Sequence, residues 1–153
     1  MKGRAPELGV ATLGNGLKVA AYETYGPVAT IAVALQAGSR YETRDTIGAA
    51  QSIKHFGFRS TTHRSNVRFT REIDNLGGVL STTATRESIV FAAEVLRDRI
   101  PDAVDLLVDV VRATRFADYE VADVASTVKS ESLSVRPPPG QRTAADAARA
   151  RRR

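Results

Sequence analysis

The stretch Gly48-Ala-Ala-Gln-Ser-Ile-Lys-His55 decides how this chain reads. No proline interrupts it, and its apolar positions recur at helical spacing. It predicts a helix from about Thr46 to Phe56, with Ile47, Ala50, Ile53 and Phe56 turned inward. Upstream stand Leu13-Gly-Asn-Gly-Leu-Lys-Val19 and Ala37-Gly-Ser-Arg-Tyr-Glu42. Downstream stand Gly77-Gly78 and Thr83-Ala-Thr-Arg-Glu87.

Working outward, Leu17, Val19 and Ala21 alternate with their neighbours, as do Ile31, Val33 and Leu35. Period two is the mark of a strand. Asn15-Gly16 signals a tight turn before the first of these strands, and Gly26-Pro27 a break after it. Ser65 is a suitable N-cap for a helix carrying Phe69, Ile73 and Leu76, which Gly77-Gly78 should end. Val79 to Ala84 and Ser88 to Val95 read as strands joined by a turn near Arg86. Pro101 suits the first turn of a helix capped by Asp98, with Ile100, Val104, Leu107, Val108 and Val111 as its buried stripe. A last helix is expected from about Asp118 to Ser132, with Val121, Val124 and Val128 on one face.

The order β-β-α-α-β-β-α-α predicts an α+β fold, a largely antiparallel sheet with helices packed on one face. It does not alternate as βαβ units do. Gly77-Gly78 follows a helix rather than opening one, so no phosphate-binding loop is read there. No internal repeat is visible.

Composition narrows the classes further. The 153 residues suffice for one domain with a core. There is no cysteine, hence no disulfide and no thiolate metal site. No apolar run is long enough to span a membrane. Met1-Lys-Gly-Arg-Ala-Pro6 is too short and polar for a secretory signal and reads as a solvated end. The formal charge is +5, but six of the 22 basic residues and one of the 17 acidic residues lie from Arg136 onward, leaving sixteen of each in residues 1–135. The basic character belongs to a tail. A nucleic-acid-binding domain would carry it on a folded face, so no nucleic-acid partner is expected. We expect residues 1–9 to be an extension, 10–133 the folded part, and 134–153 a flexible basic tail rich in Pro, Arg and Ala.

In order and spacing, the quoted segments resemble the N-terminal domain of the pitrilysin-type inverted zinc peptidases, which include the mitochondrial processing peptidases. That family carries His-x-x-Glu-His on a helix. The matching window here is Gln51-Ser-Ile-Lys-His55. The resemblance implies that Gln51 stands in place of the first histidine and Lys54 in place of the general-base glutamate. His55 stands in place of the second histidine. Glu131 falls where the family places its third ligand. A neutral amide and a lysine make a poor cation site, so these four residues are read as the degenerate remnant of a metal centre. No catalytic residue, bound metal or cofactor is expected.

Simpler roles stand beside these. His55 could be a helix residue bonded to a nearby polar group, Glu131 among them. Glu131 could be an ion-pair partner of Lys54 or a surface carboxylate. Lys54 could be solvated or ion-paired. His63 reads as solvent-exposed, and Arg86-Glu87 as a charged hairpin turn in preference to a cleft-edge contact.

Within the family the wording is most similar to the branch that supplies the second core protein of mitochondrial ubiquinol–cytochrome c reductase, complex III. Leu13-Gly-Asn-Gly-Leu17, Ala37-Gly-Ser-Arg-Tyr-Glu42, Ser81-Thr-Thr-Ala-Thr-Arg-Glu87 and Glu120-Val-Ala-Asp123 carry that similarity, over about residues 10 to 133. It implies a non-catalytic structural subunit of the respiratory chain on the matrix side of the inner membrane. Its implied partners are the other core protein and further complex III subunits. The alternative is the non-catalytic, substrate-binding alpha-type subunit of the mitochondrial processing peptidase. A sheet only partly covered by its own helices is expected to need a partner along its edges.

Overall fold

Ile31, Val33 and Leu35 turn to one face of a strand and Ala32 and Ala34 to the other, as alternation requires. The computed structural model describes residues 7–134. The expectations for Met1–Pro6 and for the tail beyond Ser134 lie outside the described residues.

The strands are β1 (Glu7–Thr12), β2 (Lys18–Glu23), β3 (Val28–Leu35), β4 (Val79–Ala84) and β5 (Ile89–Leu96). The helices are α1 (Ala49–Phe56), α2 (Asn66–Leu76), α3 (Ile100–Ala113) and α4 (Asp118–Ser134). β3, β5 and β4 form an antiparallel sheet in that order, with β5 central. β1 and β2 form a separate antiparallel hairpin. The fold is α+β, as the order of elements predicts.

One face of β5 makes the core. Ile89, Phe91, Ala93 and Val95 are all buried. Against them pack Ala103, Leu106, Leu107 and Val110 of α3, Phe69 and Leu76 of α2, and Ala50 of α1. Each large side chain so buried contributes about 1.5–3 kcal/mol. Ser65 caps α2 by accepting from the Arg68 amide, and Gly77 ends that helix in the left-handed conformation. Both follow the sequence reading.

Five details differ from it. β1 is an additional strand, beginning inside the stretch read as an extension. Asn15-Gly16 joins it to β2, with the Asn15 Oδ1 accepting from the Leu17 amide at 3.1 Å. Ile47 is not inward but 77% exposed. Gly48, at φ 88°, bends the chain before α1 begins at Ala49, so Ile47 is not on the helix. The buried stripe of α3 is Ala103, Leu106, Leu107 and Val110, and Val104 and Val108 face outward. Both sets obey helical period; the sheet selected the one with small Ala103 at the contact. Asp98 does not cap α3: a 3-10 turn, Arg97–Arg99, leads in without a side-chain cap. On α4, Val124 is buried but Val121 is exposed, because the inward face runs Glu120, Val124, Thr127, Val128, Glu131.

Gly57 follows α1 where that helix approaches β4. A Cβ there would sit 2.2 Å from Thr82 Oγ1, so any other residue would have to push the Thr82 side chain aside.

Candidate functional site

α1 begins because an acidic side chain meets its free N–H groups. Glu42 accepts from the amides of Gly48 at 3.0 Å and Ala50 at 2.9 Å. These two hydrogen bonds hold the Glu42 carboxyl below its ordinary pKa. A carboxylate at a helix N-terminus is also favoured by the helix dipole.

Gln51 and His55 lie one turn apart on α1 and face α4. Gln51 Nε2 donates to Glu131 Oε2 at 2.8 Å. His55 Nε2 lies 3.0 Å from the same oxygen. A carboxylate can only accept, so the Gln51 amide presents its NH2 and His55 carries its proton on Nε2. The His55 contact first, and Gln51 second, lower the Glu131 pKa, and the Lys54 charge acts in the same direction. Lys54 itself is half-buried on α1. Of the roles left open by the sequence, His55 takes Glu131 as its partner, and Gln51 hydrogen-bonds the same carboxylate.

Further down, α4 is fastened to the loop after α1. Glu120 is buried at 1% exposure and accepts from Ser60 Oγ at 2.6 Å and the Ser60 amide at 3.4 Å. Arg59 pairs with Asp123 at 2.8 Å. The loop continues into a second buried group. Thr61 donates to Asp109 at 2.6 Å, and Arg64 binds Asp109 and Glu72 at 2.7 Å each and Asp105 at 2.5 Å. Burial works against the Arg64 charge, yet Asp109, Glu72 and Asp105 hold its pKa above the ordinary value.

Sequence reading missed these attachments. In the sequence Glu120 stands out only as part of a shared phrase, and Arg64 not at all. The one available signal was a polar run, Ser60 to Arg64, facing acidic positions on otherwise apolar helices. His63 is exposed, as read, and reaches Asp109 only at 4.0 Å. Arg86 and Glu87 occupy the exposed turn between β4 and β5, where Glu87 pairs with Arg40 at 3.0 Å.

The set Gln51, Lys54, His55 and Glu131 does not fit zinc. Only His55 and Glu131 offer the usual ligand atoms, and Gln51 turns its N–H groups to the position a ligand atom would need. Lys54 adds positive charge beside it. An ammonium cannot act as the carboxylate base that would polarise a water on such a metal. A half-open apolar cavity of about 230 Å³ lies elsewhere, lined by Leu35, Ile53, Phe56, Phe91, Val111 and Phe116 among others. None of the four site residues lines it.

Comparison with known proteins agrees with this architecture. The chain is 38% identical over 122 residues to mitochondrial-processing peptidase subunit alpha of Solanum tuberosum, covering 80% of this chain and 24% of that protein. It is 37% identical over 123 residues to cytochrome b-c1 complex subunit 2 of Rattus norvegicus, covering 80% and 27%. The chain thus spans about a quarter of the length of the curated relatives it matches. A crystal structure of a protease from Helicobacter pylori superimposes with a TM-score of 0.75 at 21% identity, covering 83% of this chain and 31% of that one, which shows the shared fold. The family model described as Insulinase (Peptidase family M16) matches residues 18–149. The chain belongs to the insulinase family of peptidases, M16.

Proposed function

We propose that this chain is a non-catalytic structural core subunit of mitochondrial complex III, supporting its assembly and electron transport without redox centres of its own. The observation that carries the reading is the contact between Gln51 and Glu131, with Lys54 beside it. A side chain that would hold a metal and one that would activate water are both replaced, while the helices that present them keep their places. Relatives from complex III support the branch: subunit 2 of Rattus norvegicus and of Homo sapiens are 37% and 36% identical to this chain. The reading places the chain on the matrix side of the inner membrane, held through the other core protein and further subunits. No helix among the described residues is long and apolar enough to cross a membrane.

A second reading is a non-catalytic alpha-type subunit of the processing peptidase. The 38% identity to that subunit of Solanum tuberosum favours it. Co-purification from detergent-solubilised mitochondria separates the two. Cytochrome b and the Rieske protein as companions support the first reading, and a catalytic peptidase subunit supports the second. Cleavage of a presequence peptide by the purified chain with zinc, abolished by a chelator, would overturn both.

A further inference from the structure

The end of α3 and the loop behind it close one side of the half-open cavity of about 230 Å³. Leu35 of β3, Phe91 of β5, Ile53 and Phe56 of α1 and Val111 of α3 supply its apolar walls. Phe116, in the loop between α3 and α4, stands edge-on to Phe56 with ring centroids 5.0 Å apart. It lines the cavity yet is 59% exposed, which places it at the mouth. Backbone bonds hold this wall in place. The Thr62 amide donates to Ala113 O at 2.8 Å and the Arg115 amide to Ser60 O at 3.0 Å. A cavity already formed costs little ordering when a ligand enters.

One charge interrupts the apolar lining. Arg112, in the last turn of α3, lines the cavity and is exposed. That place suits the helix dipole and leaves the guanidinium donors free. Arg112 makes no side-chain hydrogen bond or ion pair among the described residues. No acidic side chain lines the cavity. The Thr114 hydroxyl, also in the wall, already donates to the Val110 carbonyl. An unpaired arginine fork beside an apolar hollow suits a carboxylate carried on a hydrocarbon chain, and repels a basic ligand.

We propose that this cavity binds the anion of a straight-chain carboxylic acid, with Arg112 taking the carboxylate and the apolar walls taking the chain. The volume sets the length. A methylene fills roughly 30 Å³, the share of one water molecule in the liquid. A cavity of about 230 Å³ therefore holds a chain of about seven or eight carbons. The site is separate from Gln51, Lys54, His55 and Glu131, none of which lines it. The inference does not depend on which branch of the family the chain serves.

Titration calorimetry of the full chain with octanoate, at neutral pH and below the concentration at which it forms micelles, tests this. One equivalent should bind, with a Kd below about 1 mM. Hexanoate should bind about tenfold more weakly, because two fewer methylenes are buried. Octanol has the same chain without the charge and should also bind about tenfold more weakly than octanoate. Arg112→Gln should weaken octanoate about tenfold and leave octanol unchanged. Its side chain is exposed and unpaired, so the melting temperature of the variant should not move. Methyl NMR signals of Leu35, Ile53 and Val111 should shift on adding octanoate. Absence of saturable octanoate binding would overturn the proposal. So would equal affinity for octanol and octanoate, which would mark the hollow as a socket for an apolar side chain. Unchanged octanoate affinity in Arg112→Gln, or binding that leaves the three methyl signals in place, would overturn it too.

Discussion

Gln51 and Glu131 are 80 residues apart in the sequence and 2.8 Å apart in space. His55 shares the same carboxylate oxygen, so one acceptor on α4 collects two donors from α1. Direct hydrogen bonds join the two helices where a cation could otherwise have bridged them.

Zinc should not bind stoichiometrically to the purified chain. The double variant Gln51→His with Lys54→Glu should bind zinc at one equivalent, because it restores two ligand-competent or anionic groups around His55 and Glu131. Metal analysis and titration calorimetry check both statements. Stoichiometric zinc in the unaltered protein would refute the reading of the site.

Glu120→Ala should destabilise the chain by about 1–3 kcal/mol, because it leaves buried Ser60 without its acceptor. Urea denaturation measures the change. Asp123→Ala, which removes only the exposed end of the pair with Arg59, should cost less than about 1 kcal/mol.

Leu107→Ala should cost about 2–5 kcal/mol, since Leu107 is buried at 1% exposure against β5. Val104→Ala, three residues earlier and 41% exposed, should stay within about 0.5 kcal/mol. Equal effects would mean that α3 is rotated from the position described.

Acid should destabilise the chain. The hydrogen bonds from Arg97 hold the Glu23 pKa down at about 2, from an ordinary 4.5, and Arg68 and Arg64 lower Glu72. Asp109 is lowered too, where the bonds from Thr61 and Arg64 outweigh the opposing effect of burial. A carboxyl with a depressed folded-state pKa contributes stability that is fully present above its unfolded value and lost as pH falls through the folded value. Stability should therefore be level near neutrality, fall below about pH 4.5, and keep falling toward pH 2. Glu23→Gln should flatten the lowest part of that profile, as followed by thermal melting across pH.

Deleting residues 136–153 should spare assembly with the partner subunits, since strands β1–β5 and helices α1–α4 all lie within residues 7–134. Co-purification of the truncated chain checks this. Loss of assembly would make the tail a binding element.

The sequence by itself determined most elements and the faces of several. Period two in β3 and β5 and the Ser65 and Gly77 signals around α2 are local properties, set by backbone geometry and neighbouring residues. The neutral amide of Gln51 and the ammonium of Lys54 are likewise legible as residue types that suit neither a metal ligand nor a carboxylate base. The rotation of α3 was not, because Val104 and Leu106 obey helical period equally well and only the surface of β5 chooses between them. Nor was β1 legible, since Glu7-Leu-Gly-Val-Ala-Thr12 contains a glycine and becomes a strand through its pairing with β2. The attachment of Glu120 to Ser60 and of Glu131 to Gln51 also belonged to the tertiary structure. Hydrogen bonds across 60 and 80 residues depend on how α4 lies against α1, and no local pattern encodes that distance.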